Sequence, residues 1–156
     1  METDRLIIRK FKKSDVDNLY KLLSDEDSMR YIEPPYSREG AVSFLDAAGL
    51  CDPPLILAVE DRQGNFVGYV IYHPYEKDSY EIGWILQKEQ WHKGYAKELT
   101  KALIKDAKKK TKFLILECHP QQAATKRIAL QNHFLYMGQE EGCDIYRLQL
   151  NGNVIL

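Results

Sequence analysis

The chain of 156 residues carries 22 Lys and Arg against 23 Asp and Glu, a net charge of −1, with 44% hydrophobic and 11% aromatic residues. These values are typical of one globular domain, and we expect residues 1–156 to fold as a single unit. The near-neutral charge argues against a nucleic-acid-binding protein, which is usually clearly basic. The longest apolar run, residues 55–59, is far shorter than the roughly 18 residues of a membrane span, so no membrane association is expected.

The N-terminus and the cysteines favour a cytoplasmic protein. Residues 1–5 are mostly charged, unlike the start of a signal peptide with its long apolar region. The chain has an odd number of cysteines, without CxxC or CxxH spacing, so neither a disulfide framework nor a zinc knuckle is expected: Cys51, Cys118 and Cys143. The four histidines lack the i,i+4 spacing typical of a metal site, and we predict no bound metal.

The first third of the chain is predicted to form a strand and two helices. Residues 6–9 are a short β-branched run, and Ser14 supplies a capping hydroxyl for an amphipathic helix that follows. The prolines at 34–35 cannot continue a helix, because they lack N–H donors and favour an extended residue before them. Ser37 then caps a second helix, predicted to run to about Ala48.

From about residue 55 the hydrophobic period changes from that of helices to that of strands. Three β-rich runs separated by turn compositions predict an antiparallel meander: residues 55–60, 66–72 and 80–86. The later elements are a helix from about 96 to 107, a strand at 113–116, a helix at 123–131 and two strands between 134 and 150. A meander followed by a strand-helix-strand crossover predicts a mixed sheet with helices on its faces.

Residues 80–99 form the most informative segment, in which a strand leads through a loop into a helix. A helix start presents unpaired N–H groups and the positive end of a dipole. Gly94 and Ala96 allow a ligand to approach the main chain there, so the loop can hold phosphate groups. The spacing fits neither GxGxxG nor GxxxxGK[ST], which argues against mononucleotide binding through those motifs. An ordinary strand-to-helix turn has the same local pattern, and both interpretations remain open at this point.

The same segment resembles the central motif of the GNAT N-acetyltransferases, specifically their RimJ/RimL-like branch. The resemblance is carried by EIGW at 81–84 and QWHKGYAKEL at 90–99, and it extends to TDRLIIR at 3–9 and to residues 120–134. It implies an α+β fold with a mixed, mostly antiparallel sheet and helices on both faces. In this family the fourth and fifth strands splay apart to hold acetyl-CoA, so the resemblance also implies acetyl-CoA as co-substrate.

The resemblance further implies which residues hold the co-substrate. The main-chain amides expected to hold its pyrophosphate are those of His92, Lys93, Gly94, Tyr95 and Ala96. The main chain expected to pair with the pantetheine arm is that of Trp84, Ile85 and Leu86. Gln122 and Thr125 stand where the family has Asn and Ser, and both keep a polar side chain of the same kind.

Acetyl transfer from a thioester needs a neutral amine, an oxyanion donor and a proton for the leaving thiolate. Glu81 is the candidate for taking the amine proton, and strand alternation places it on the face opposite Tyr80 and Ile82. A main-chain N–H near Ile85 is the expected oxyanion donor, and the Thr125 hydroxyl is a candidate donor to the sulfur. The alternatives are a solvent-exposed strand carboxylate for Glu81 and a first-turn hydroxyl for Thr125.

The predicted function is an N-acetyltransferase acting on a primary amine of a small molecule or a protein N-terminus, by direct attack in a ternary complex. Candidates for the acceptor pocket are Tyr31, Tyr36 and Trp84, with core packing as the alternative. The chain has Ala129 where many superfamily members carry a tyrosine acid, and His133 where the family usually has Gly. These departures favour an alternative function, a non-catalytic acyl-CoA-binding or protein-interaction module. A monomer or a homodimer is expected.

The two charge signs are unevenly distributed along the chain. Residues 91–133 contain ten Lys and Arg against three Asp and Glu, a net +7, so the other residues sum to −8. The positive part includes the loop and helix where a polyanionic CoA would dock, and the acidic part suits a cationic amine.

Overall fold

The computed structural model describes residues 1–150, which contain a seven-stranded sheet in the order β1-β2-β3-β4-β5-β7-β6. The strands are β1 (Leu6–Arg9), β2 (Ile56–Asp61), β3 (Phe66–Pro74), β4 (Ser79–Leu86), β5 (Phe113–Cys118), β6 (Leu135–Glu140) and β7 (Cys143–Gln149). The helices are α1 (Val16–Leu23), α2 (Glu26–Met29), α3 (Arg38–Phe44), α4 (Tyr95–Ala107) and α5 (Ala123–Gln131). Neighbouring strands are antiparallel except β4 and β5, which are parallel. The predicted mixed α+β fold is confirmed.

Two details of the N-terminal third differ from the sequence prediction. The helix α2 was not predicted, because one turn is too short to show a hydrophobic period; Asp25 caps it by accepting the Ser28 N–H at 2.8 Å. The predicted cap Ser14 lies in a 3₁₀ turn before α1. The N-cap residue of α1 is the buried Asp15, whose side chain makes no capping hydrogen bond to the helix. Its carboxylate instead accepts the Lys12 N–H at 2.7 Å and two hydrogen bonds of 2.8 Å from Arg9.

The helices cover the sheet on two faces and form two hydrophobic cores. One core lies beneath α4 and α5, and the other lies beneath α1 and α3. Because side chains along a strand alternate between the two faces of the sheet, Ile82 of β4 packs in the first core and Ile85 in the second. Leu99 and Leu103 of α4 are fully buried in the first of these cores. Among the helices of residues 1–150, none is both long enough and apolar enough to cross a membrane.

The sheet opens between β4 and β5. Their parallel pairing covers only Ser79–Glu81 against Phe113–Ile115, although β4 stays paired with β3 as far as Leu86. From Ile82 onward, the edge of β4 that faces β5 therefore has no strand partner within residues 1–150. We call this opening the strand gap, and it agrees with the predicted splay of the fourth and fifth strands.

On its other edge, the main chain of β4 occupies the space that a side chain at Gly68 of β3 would need. A Cβ atom added to Gly68 would lie 2.2 Å from the Ile85 carbonyl oxygen and 2.8 Å from Leu86 Cα. Real side chains do not tolerate such distances, so only glycine allows this strand approach.

Candidate active site

The main chain of β4 presents alternate residues to the strand gap. The N–H of Gln87 donates to the Val67 carbonyl at 2.9 Å, which continues the β3–β4 register. In an antiparallel ladder, every second residue directs both its N–H and its C=O to the same neighbour. Ile85 therefore faces β3, in agreement with its carbonyl oxygen lying against Gly68. Trp84 and Leu86 face the strand gap.

This orientation corrects the assignment of Ile85. Its N–H and C=O are directed to β3, so neither can pair with a ligand in the strand gap. The prediction of an oxyanion donor near Ile85 remains, with the N–H groups of Trp84 and Leu86 as its candidates. The Leu86 carbonyl is also engaged, since it accepts the Trp91 indole N–H at 2.9 Å. The groups on this stretch that remain for a ligand are the N–H and C=O of Trp84 and the N–H of Leu86.

The loop that follows β4 leads into α4 with a backbone suited to an anion. His92 and Gly94 adopt positive φ angles of 62° and 81°, and Gly94 is the N-cap of the 13-residue helix α4. Residues with a left-handed backbone conformation, placed just before a helix, direct successive N–H groups toward one side. These N–H groups and the helix dipole attract a negatively charged group there. We call residues 92–96 the phosphate loop.

The N-terminal segment braces the phosphate loop, a role that the sequence did not predict. Arg5 donates from Nη1 to the Lys93 carbonyl and from Nε to Glu98 Oε1, both at 2.8 Å. Its guanidinium lies 4.5 Å from the centre of the Tyr95 ring. The Thr3 hydroxyl donates to the same Glu98 carboxylate. One arginine thus joins the segment that precedes β1, the loop and the first turn of α4.

We expect an Arg5→Met substitution to weaken acetyl-CoA binding about tenfold, because it removes the charge-assisted hydrogen bonds that hold the loop. Isothermal titration calorimetry measures the change. An Arg38→Met substitution is the matched control, since Arg38 forms an exposed pair with Asp17 on the other side of the fold. Equal affinities for the Arg5 variant and the parent protein would show that the loop holds its shape without this brace.

Glu81 lies at the last paired position before the strand gap, opposite Ile115 of β5. Its side chain points away from the core beneath α4 and α5, as strand alternation predicted. Glu81 Oε2 lies 2.9 Å from His73 Nε2, and His73 Nδ1 lies 2.7 Å from the Pro74 carbonyl oxygen. His73 was considered from the sequence only as a metal ligand, since its pairing with Glu81 depends on the β3–β4 register.

A second carboxylate, Glu117 of β5, lies on the same face as Glu81. The Tyr75 hydroxyl donates to Glu117 Oε1 at 3.0 Å. Burial raises the pKa of Glu117 above its usual range, as do the nearby carboxylates of Glu81, Glu140 and Glu141, against the opposing effect of Tyr75. Within residues 1–150, no group of three or more His, Cys, Asp and Glu is arranged to hold a metal ion.

A cavity of about 460 Å³ lies between α2 and the end of β5. Tyr31 lines it and stacks on His119, with ring centres 5.0 Å apart and an interplanar angle of 27°. Glu26, Arg30 and Glu33 also line it, two acidic residues and one basic residue. The cavity therefore combines an aromatic surface with a small excess of acidic groups, which suits a cationic organic ligand.

The other two aromatic candidates for the acceptor pocket lie elsewhere. Tyr36 packs edge-on against Phe44 at 5.8 Å, and its hydroxyl donates to Glu33. The Trp84 ring packs against the core beneath α4 and α5, on the face opposite Glu81. For these two side chains the structure favours the alternative of core packing, and only Tyr31 lines the cavity.

Gln122 and Thr125 lie at the start of α5, the helix that follows β5. Gln122 Oε1 accepts the His119 N–H at 2.8 Å, which fixes the turn between β5 and α5. Thr125 lies half-buried in the first turn of α5. Ala129, one turn further, is fully buried, so the position of the missing tyrosine belongs to the core.

Comparisons with known proteins agree with this arrangement. The model of the acetyltransferase (GNAT) domain family matches residues 5–135. The chain is 30% identical over 133 residues to the uncharacterized N-acetyltransferase YnaD of Bacillus subtilis (strain 168), covering 81% of this chain and 76% of that protein. A GNAT-family acetyltransferase from Bacillus anthracis superimposes with a TM-score of 0.86 at 25% identity, over 96% of this chain and 97% of that one. Spermidine N-acetyltransferase from Vibrio cholerae, in complex with CoA and spermine, gives a TM-score of 0.78 at 19% identity, over 94% and 96% of the two chains.

The strand gap and the phosphate loop agree with this family. The chain belongs to the GNAT acetyltransferase family. The predicted family and enzyme class are confirmed, and the expected acetyl-CoA co-substrate agrees with the CoA complex among the related structures. The narrower placement in the RimJ/RimL-like branch stays a prediction.

Proposed function

We propose that this chain transfers the acetyl group of acetyl-CoA to a primary amine by direct attack in a ternary complex. The observation that carries the proposal is the strand gap, in which the unpaired main chain of Trp84 ends beside the phosphate loop and Glu81 stands at the opposite end. Acetyl-CoA supplies the activated acetyl group. The residues of this chain bind it, position the amine and accept a proton.

Three features would hold the co-substrate. The N–H groups of the phosphate loop would bind its pyrophosphate, supported by the positive charge of residues 91–133. The N–H and C=O of Trp84 would pair with the amide groups of the pantetheine arm, as a neighbouring strand would. Gln122 and Thr125 would line the other side of the strand gap, with the Thr125 hydroxyl near the sulfur.

The acceptor would approach from the face that carries Glu81. Cationic amines fit this face, because Glu81 and Glu117 lie on it, and the nearby cavity contains Tyr31 and Glu33. The CoA and spermine complex of the Vibrio cholerae enzyme is consistent with a small amine acceptor, and a protein N-terminus is the other candidate. Tyr31 would contact the apolar part of such an acceptor.

In the chemical step, Glu81 takes one proton from the ammonium group, leaving a neutral amine. The amine nitrogen then bonds to the thioester carbonyl carbon while the carbon–sulfur bond breaks. The N–H of Trp84 or Leu86 would stabilise the negative charge that develops on the carbonyl oxygen. The second amine proton ends on the thiolate, which the Thr125 hydroxyl would stabilise until it is protonated.

Titration calorimetry with acetyl-CoA, followed by a thiol-release assay over a panel of amines, tests this proposal. We expect binding of acetyl-CoA and amine-dependent release of CoA, fastest with amines that carry a second positive charge. No binding at millimolar acetyl-CoA would refute the proposal. Binding without release across small amines and peptide N-termini would instead support the alternative predicted from Ala129 and His133, a non-catalytic acyl-CoA-binding module. The cytoplasmic location and the oligomeric state stay predictions.

A further inference from the structure

His73 and Glu81 form a close side-chain pair on neighbouring strands. They are direct partners in the β3–β4 register, so both side chains project from the same face of the sheet. Their side chains are 16% and 21% exposed, and Nε2 lies 2.9 Å from Oε2. The pair lies at the point where β5 separates from β4, which is the closed end of the strand gap.

The Pro74 carbonyl determines how this pair holds a proton. A carbonyl oxygen only accepts hydrogen bonds, so the 2.7 Å contact requires a proton on His73 Nδ1. A neutral ring with that proton has a lone pair on Nε2, which would face the carboxylate of Glu81 without attraction. The 2.9 Å contact therefore requires one proton between Nε2 and Oε2.

Charged and titratable groups from three strands lie around the pair. The hydrogen bond with Glu81 raises the pKa of His73 above its usual range, against the lowering effect of burial. Tyr75 of β3 lies 6.4 Å from the His73 ring, and Glu117 of β5 adds a negative charge on the same face. Arg147 of β7 stacks on the Phe113 ring at 3.7 Å.

We propose that His73 is a positioning residue which acts through Glu81: at the closed end of the strand gap it shares with the Glu81 carboxylate the proton taken from the acceptor. This inference rests on the proposed function. The reactive form of the pair has neutral His73 and ionised Glu81. The ammonium N–H bond breaks, its proton moves to Glu81 Oε2, and His73 Nε2 shares it. The proton leaves to solvent after CoA and the acetylated amine depart.

The pH dependence of kcat/KM tests the inference. In the parent protein, kcat/KM for an alkylamine should rise with pH through the titration of the pair, above the usual histidine value of about 6.5. His73→Gln keeps a donor near Glu81 but cannot bind the proton. In this variant we expect the acidic limb of the profile to move to lower pH, with a plateau about tenfold lower.

The choice of acceptor and control separates this role from a structural one. A hydrazide is already neutral near pH 7, so the loss caused by His73→Gln should largely disappear with it. The matched control is His133→Asn, because His133 is exposed and its φ of 67° is one that Asn tolerates. A uniform loss at every pH and with both acceptors would overturn the inference while leaving acetyl transfer established.

Nuclear magnetic resonance of the imidazole nitrogens provides a readout that needs no turnover. We expect His73 to carry its proton on Nδ1 when neutral and to titrate above the usual histidine range, and Glu81→Gln should lower that titration. A proton on Nε2 in the neutral ring would overturn the inference. A parent protein that binds acetyl-CoA but acetylates no amine would refute the proposed function, and the inference about catalysis would fall with it.

Discussion

Replacing Glu81 by Gln is expected to lower kcat by about 10²- to 10³-fold, the usual contribution of a positioned general base. The amide is nearly the same size as the carboxylate but cannot accept the proton of the ammonium group. The affinity for acetyl-CoA should stay close to that of the parent protein, because the Glu81 side chain points away from the face on which α4 and α5 pack. Steady-state kinetics combined with titration calorimetry separates the two quantities.

Two further carboxylate variants make the Glu81 result specific. Glu76→Gln removes the same charge from an exposed turn only five residues away and should leave kcat unchanged. Glu117→Gln tests the other carboxylate on the acceptor face, whose raised pKa makes it the competing candidate for the base. A nearly inactive Glu117 variant beside an active Glu81 variant would reassign the base to β5.

Replacing Gly68 by Ala is expected to lower the free energy of unfolding by about 3 kcal/mol, at the upper end of the cost of overpacking a core. The new Cβ would meet the main chain of β4, 2.2 Å from the Ile85 oxygen, and a strand cannot turn aside as a flexible side chain can. Urea unfolding with an unchanged m-value measures the loss. Because β4 also borders the strand gap, the affinity for acetyl-CoA should fall as well.

Gly64→Ala is the control for the Gly68 variant. Gly64 has a φ of 84° in the turn between β2 and β3, and an added Cβ there would have no neighbour within 4 Å. Its substitution therefore reports backbone strain alone, about 1 kcal/mol. If the Gly68 variant were no less stable than the Gly64 variant, β3 and β4 would have room to separate. The close contact at Gly68 would then contribute nothing to the free energy of unfolding.

The fold could be predicted from the sequence because each long element shows a clear local pattern. The three strands of the meander and the helix α4 have distinct hydrophobic periods, and turn residues separate them. The single-turn helix α2 has no period to detect. The cap of α1 was misplaced for a different reason, since Asp15 is held by Arg9 of β1, a contact that local pattern does not contain.

The candidate site was predicted less completely, because its details depend on strand register and on distant partners. The direction of each main-chain group on β4 follows from the β3–β4 register, so the sequence could not distinguish Ile85 from Trp84. Arg5 and Glu98 are 93 residues apart, and no local pattern joins them. The loop and its glycine were identified because strand, turn and helix start are contiguous in the chain.

The alternation along β4 allows one residue to serve two purposes without compromise. The indole ring of Trp84 packs against the hydrophobic core, while its N–H and C=O groups point along the sheet into the strand gap. Hydrogen bonds from peptide groups depend on the path of the main chain and on the spacing of its N–H and C=O groups. They do not depend on the identity of the side chain. If the proposed pairing of Trp84 with the co-substrate holds, the interior could be repacked at this position in the course of evolution without altering that pairing, provided that the strand keeps its course.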